Sequence, residues 1–112
     1  MRATFLELPP FERYRNLYLD DAAYTELQQV LMLNPLAGSL IQGTGGLRKL
    51  RWLDSRRGKG KSGGLRVIYF YWNGHDQFWL FTLYDKDEQP DLSNDQRAYL
   101  RKMVKDELEA RR

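Results

Sequence analysis

Lys59 and Lys61 in GKGKSGG, Arg66 shortly after it, and Tyr84 and Lys86 in LYDKDE are the side chains of this sequence whose chemistry suits a phosphodiester. Arginine grips a phosphate through two parallel N–H bonds, lysine acts as a point charge, and tyrosine stacks on an unpaired base. Such a set suits RNA, and it could also cut it. Strand cleavage by the 2′-hydroxyl needs a base to take its proton, cations around the crowded phosphate and an acid for the leaving oxygen. The chain has one histidine and no cysteine, so a lysine whose pKa is lowered by neighbouring cations is the candidate base. Each residue also has a plainer role open to it: Arg66 as the partner of an acidic turn, Tyr84 as an aromatic at the core's edge, Lys59 and Lys61 as solvated loop charges.

The net charge of +3 is unevenly spread. Residues 1–46 carry three cations against five anions, residues 47–66 carry eight (Arg48, Lys49, Arg51, Arg56, Arg57, Lys59, Lys61 and Arg66) against Asp54 alone, and the remainder has seven against nine. One short segment holds the positive field, which marks an anion site in preference to a chain made basic for solubility. Arg48, Lys49, Arg51, Arg56 and Arg57 are its expected RNA-binding residues. The stretch SRRGKGKS imitates the end of a nucleotide-binding phosphate loop, but Ser55 stands where the first glycine belongs and a strand follows instead of a helix. A nucleotidase is rejected. Metal chemistry has little to build on, because His75 belongs to a turn and DKDEQPD lacks the spacing of a calcium loop, which leaves it as an exposed turn. No metal or other cofactor is expected.

A chain of 112 residues has room for one domain, and residues 1–112 are expected to form it. Without cysteine there is neither a disulfide framework nor a thiolate site, which points to a reducing compartment. No apolar leader and no run approaching about 18 apolar residues is present, so the expectation is a cytoplasmic protein with no membrane partner.

The elements that position these residues follow from periodicity. ATFLEL is a first strand, Pro9 and Pro10 open a helix carrying Phe11, Tyr14 and Leu17 or Tyr18, and Asp20 or Asp21 caps a second with the stripe Tyr24, Leu27, Val30, Leu31. That helix stops before Asn34-Pro35. After the turn-rich QGTGG, LRKLRWL alternates, with Leu50 and Trp52 on one face and Lys49 and Arg51 on the other. LRVIYFYW and QFWLFTLY form a hairpin across Asn73-Gly74, bringing Arg66 near Tyr84 and Lys86. Ser93 and Gln96 form a capping box, and Leu100, Met103, Val104 and Leu108 line the closing helix. The fold expected is α+β, strand-helix-helix-strand-strand-strand-helix, with a largely antiparallel sheet covered by helices on one face.

This order of elements, with the strings QGTGGLRKLR, GKGKSGGLRVIYFY and LFTLYDKDE, resembles the RelE-like toxins of bacterial type II toxin–antitoxin systems, closest to the HigB group. The resemblance implies an mRNA interferase, a metal-independent endoribonuclease that cuts translated message in the A site of the small ribosomal subunit. It implies a cognate HigA-type antitoxin as partner, with operator DNA reached only through that antitoxin. Carried onto this sequence, Arg66 matches the family's phosphate-binding arginine, Lys59 and Lys61 the loop lysines that place or activate the scissile nucleotide, and Lys86 the basic residue after the last strand. Tyr84 matches a strand-end tyrosine in position. The sequence departs from relatives in leaving the acid for the leaving group unassigned, and in placing Asp85 where it would lower the local positive potential. Two readings from other classes stand beside the nuclease: a noncatalytic RNA- or ribosome-binding module, and a protein-interaction domain whose basic groove takes an acidic or amphipathic peptide.

Overall fold

Both faces of the central hairpin are apolar, and this decides the architecture. In the computed structural model, which describes residues 2–53 and 64–111, the order is β1 (Thr4–Glu7), α1 (Pro9–Tyr18), α2 (Asp21–Leu33), β2 (Ser39–Leu40), β3 (Arg48–Trp52), β4 (Leu65–Trp72), β5 (Gln77–Asp85) and α3 (Asn94–Ala110). The strands form one sheet in the order β1-β5-β4-β3-β2, antiparallel except where β1 runs parallel to β5. Leu65, Val67 and Tyr69 of β4 pack with Phe11 of α1 and Leu27 and Leu31 of α2. The alternate residues Ile68 and Phe70 join Trp79 and Phe81 of β5 and Leu100 and Val104 of α3 in a second cluster. Because successive strand side chains point to opposite faces, α1 and α2 cover one face and α3 the other. The expectation of helices on one face is corrected: a single-sided cover would leave Ile68, Trp79 and Phe81, all fully buried, in water.

The helix ends are placed by their caps. Asp20 accepts a hydrogen bond from the Ala23 N–H at 2.8 Å, and α2 ends at Leu33, ahead of Asn34-Pro35. At α3 both bonds of the Ser93/Gln96 capping box form.

One strand was not expected. Ser39–Leu40 is too short to show alternation, and what holds it is tertiary. The buried Tyr69 hydroxyl donates to the Pro35 carbonyl at 2.8 Å and accepts from the Gly38 N–H at 3.0 Å. Gly38 is required there, since a Cβ would stand 2.9 Å from the Tyr69 ring and 3.0 Å from the Lys49 backbone. The turn from β2 into β3 is closed by buried Thr44, which donates to Ile41 O at 2.6 Å and accepts from Leu47 N at 3.2 Å. Gly46 in that turn has φ +114°, and a side chain would meet Phe70 at 3.0 Å. Together these contacts set the height of β3, and with it Lys49 and Arg51.

The β4–β5 hairpin is wider than a two-residue Asn73-Gly74 turn. Trp72 pairs with Gln77, leaving four residues in the loop, where His75 stacks on Trp72 at 3.8 Å between ring centroids. From Trp72 to Tyr69 the pairing is regular, and then Ile68 pairs with Thr82, not with Phe81. Phe81 is the extra residue of a β-bulge.

Tyr69→Phe keeps the ring but leaves the Gly38 N–H and Pro35 carbonyl without their partner. It is expected to cost about 1–3 kcal/mol, measured as a lower urea midpoint with an unchanged m-value.

Candidate functional site

The bulge matters because the side-chain period of a strand is two. Without Phe81 as an extra residue, Arg66 would face Leu83; with it, Arg66 stands directly opposite Tyr84. On its other side Arg66 stands opposite Arg51, and Lys49, two residues along β3, shares that face. Two guanidinium groups and a lysine are thus set on one face of three adjacent strands, beside a tyrosine. Like charges opposite one another in a ladder repel, and an anion between them offsets that repulsion. The Arg66 guanidinium also donates to Leu65 O at 3.1 Å.

Lys86 opens the turn after β5, and its N–H donates to Gly64 O at 2.9 Å. This bond extends the β4–β5 ladder past Leu65–Asp85 and holds Lys86 at the same end of the sheet as Arg66 and Tyr84. Arg48 does not join them. It alternates onto the face of Leu50 and Trp52, and its guanidinium donates to the carbonyls of Gly38 at 2.7 Å and Leu36 at 3.4 Å. Its charge serves to tie β3 to the segment before β2. Arg56, Arg57, Lys59 and Lys61 lie outside the described residues.

Asp85, expected to weaken the positive potential, alternates to the side opposite Tyr84. It is buried, pairs with Leu65, and its carboxylate accepts from the Asp87 N–H at 2.8 Å while its carbonyl accepts from Gln89 N at 2.9 Å. It folds the turn. The acidic stretch is therefore not simply an exposed turn, and among the described residues Asp91 is a carboxylate that meets Lys49 and Arg97. Its oxygens lie 3.4 Å from Lys49 Nζ and 3.0 Å from Arg97 Nη2. The Leu92 N–H, donating to Asp91, holds this carboxyl below the usual carboxylate range, with Lys49 and Arg97 adding to the effect.

Arg97 is the residue that the sequence reading missed. It lies three residues before Leu100 and seven before Val104, on the stripe that packs α3 against the sheet. A charged residue on an apolar stripe is the signal that marks it. Burial pushes the Tyr84 hydroxyl up from its ordinary pKa; the charge of Asp91 acts in the same sense, while Arg66 and Arg97 oppose it. The Tyr84 hydroxyl and Arg97 Nε are both buried and, among the described residues, have no hydrogen-bond partner. Among the described residues, no group of three or more His, Asp or Glu side chains is placed to hold a metal ion, and no helix is long and apolar enough to cross a membrane.

An α+β chain with helices on both faces of a mostly antiparallel sheet, and a basic corner where the sheet's middle strands end, is the class so defined. No family model matches the sequence. Among solved structures, the fold is similar to that of a mutant of the E. coli toxin RelE in the free state, at 12% identity and a TM-score of 0.50, over 80% of this chain and 90% of that one. The toxin–antitoxin complex RelBE of E. coli also matches, at 12% identity and a TM-score of 0.48, over 75% of this chain and 96% of that one. The chain has a RelE-like fold.

A buried hydroxyl without a partner is a cost to the fold. Tyr84→Phe is expected to be as stable as wild type or more stable, by up to about 1 kcal/mol, in urea unfolding followed by tryptophan fluorescence. A loss larger than that would show that the hydroxyl is tied into the fold.

Proposed function

We propose that this chain is the toxin of a type II toxin–antitoxin system, a ribosome-dependent endoribonuclease that cuts translated message in the A site and so stops translation. Its antagonist would be an antitoxin of the HigA type. The observation that carries this reading is the register that sets Arg66 opposite both Arg51 and Tyr84. The RelE-like fold supports it.

The reaction assigned to this face is a transesterification. A base removes the proton of the 2′-hydroxyl, the oxygen attacks the adjacent phosphorus, and the bond from phosphorus to the 5′-oxygen breaks. A 2′,3′-cyclic phosphate and a 5′-hydroxyl result, the latter taking a proton from an acid. Arg66 and Arg51 would hold the non-bridging oxygens, where negative charge grows in the transition state and charge-assisted bonds strengthen most. Lys59 and Lys61 are assigned to placing the scissile nucleotide and to proton transfer, and Lys86 to the leaving side. Tyr84 would contribute its hydroxyl to the phosphate, since its ring belongs to the buried cluster beneath α3. Lys49, Arg56 and Arg57 would hold the flanking phosphates. Arg48, committed to the Gly38 and Leu36 carbonyls, leaves that set.

Induction of the wild-type chain in a bacterial host is expected to arrest growth and to create new RNA 5′ ends within translated frames. Arg66→Ala is expected to remain folded and to lose the new ends by a factor of about 100 or more, the scale of removing one transition-state charge contact. Wild-type protein that is folded and free of antitoxin but makes no new ends would leave this corner as a binding site only.

A further inference from the structure

The Asp91 carboxylate joins two elements that carry the basic face, β3 through Lys49 and α3 through Arg97. Lys49, Arg51 and Arg97 line one groove of about 550 Å³, together with Leu40 and Ile41. A carboxylate held between a lysine and an arginine presents the charge and two of the oxygens that a phosphate would present there. The hold is reversible: the Asp91 side chain is 47% exposed, its link to Lys49 is long, and surface ion pairs are weak. The Arg97 Nε is buried and, among the described residues, donates to nothing.

We propose that Asp91 is an internal counter-anion occupying the seat of an RNA phosphate between Lys49 and Arg97, and that Arg97 is a phosphate-binding residue once RNA displaces it. The inference rests on the RNA reading of this face. The groove favours a nucleotide over an acidic peptide because its lining is mixed: the basic side chains suit a phosphate, and Leu40, 61% exposed, offers an apolar surface to a base. Asp91 serves the free protein by pairing two cations that would otherwise repel, and it sets a threshold that RNA must exceed to bind. It is a positioning residue, acting through Lys49 and Arg97.

The test is binding of a fluorescent 2′-O-methyl RNA oligonucleotide, which cannot be cut, to the full chain across a series of salt concentrations. Asp91→Asn, which keeps an oxygen for the Leu92 N–H, is expected to tighten binding several-fold. Asp95→Asn, a charge-matched change in the first turn of α3, is expected to leave it near wild type. Arg97→Ala is expected to weaken binding and to reduce the slope of log K against log salt by about 0.7, the share of one phosphate contact on a single strand. Arg97→Gln replaces it if the alanine variant does not fold. A general charge effect would tighten binding equally in Asp91→Asn and Asp95→Asn, so the difference between the two isolates the contact. The proposal is overturned if Asp91→Asn binds no tighter than Asp95→Asn, if folded Arg97 variants keep the wild-type affinity and slope, or if a polyglutamate peptide binds as tightly as the RNA. A chain that shows the expected pattern yet cuts nothing in cells would remove the nuclease reading and leave this one standing.

Discussion

The extra residue at Phe81 governs the chemistry of this molecule. Pairing of β4 with β5 changes register by one between Ile68 and Tyr69, and the strand period of two turns that single step into an exchange of faces. Ahead of the bulge, toward the loop, the ladder aligns Phe70 with Trp79 and builds the core beneath α3. Past it, the same ladder aligns Arg66 with Tyr84, and the apolar face becomes a polar one. A regular hairpin of the same residues would have set Leu83 against Arg66 and turned Tyr84 toward α1 and α2. Phe81 itself is fully buried, so the irregularity is held in place by the core that it interrupts.

A second constraint sets how far β3 can slide against β4. Tyr69 reaches across to Gly38 and Pro35, Thr44 closes the following turn, and Arg48 ties β3 to the Gly38 carbonyl. These bonds are neutral or structural, yet they align Arg51 with Arg66. α3 then completes the face from the other side: its apolar stripe packs on Ile68 and Trp79, and the same stripe, continued one turn earlier, delivers Arg97. The segment that leads into α3 delivers Asp91. Core and basic corner are thus built from the same four elements, β3, β4, β5 and α3.

Much of this was legible from the residues. The alternation of LRKLRWL, the β-branched and aromatic content of LRVIYFYW, the cap at Asp20, the Asn34-Pro35 stop and the Ser93/Gln96 box all act locally, and the structure follows them. The face assignment was not read correctly, although the signal was present: QFWLFTLY is apolar almost throughout, the mark of a strand buried on both sides. The two-residue β2 depends on Gly38 meeting Tyr69, a contact between residues far apart in sequence, and no local pattern records it. The bulge is silent for the same reason, since Phe81 looks like any other strand residue. At the site, counting charges located the basic segment but not the direction of each side chain. Alternation sends Arg48 to the structural face and Arg51 to the open one; Asp85 folds a turn, and Asp91 meets Lys49 and Arg97.

The claim on which the functional account depends is that this face promotes attack by a 2′-hydroxyl on a phosphate held by Arg66. The direct measurement uses purified chain and ribosomes programmed with either of two messages, one entirely ribonucleotide and one with a single 2′-deoxynucleotide on the 5′ side of the cut. The account predicts that the first message is cut, leaving a 2′,3′-cyclic phosphate, and that the second is not. Cleavage of both messages, or of neither by folded wild-type protein, would contradict it.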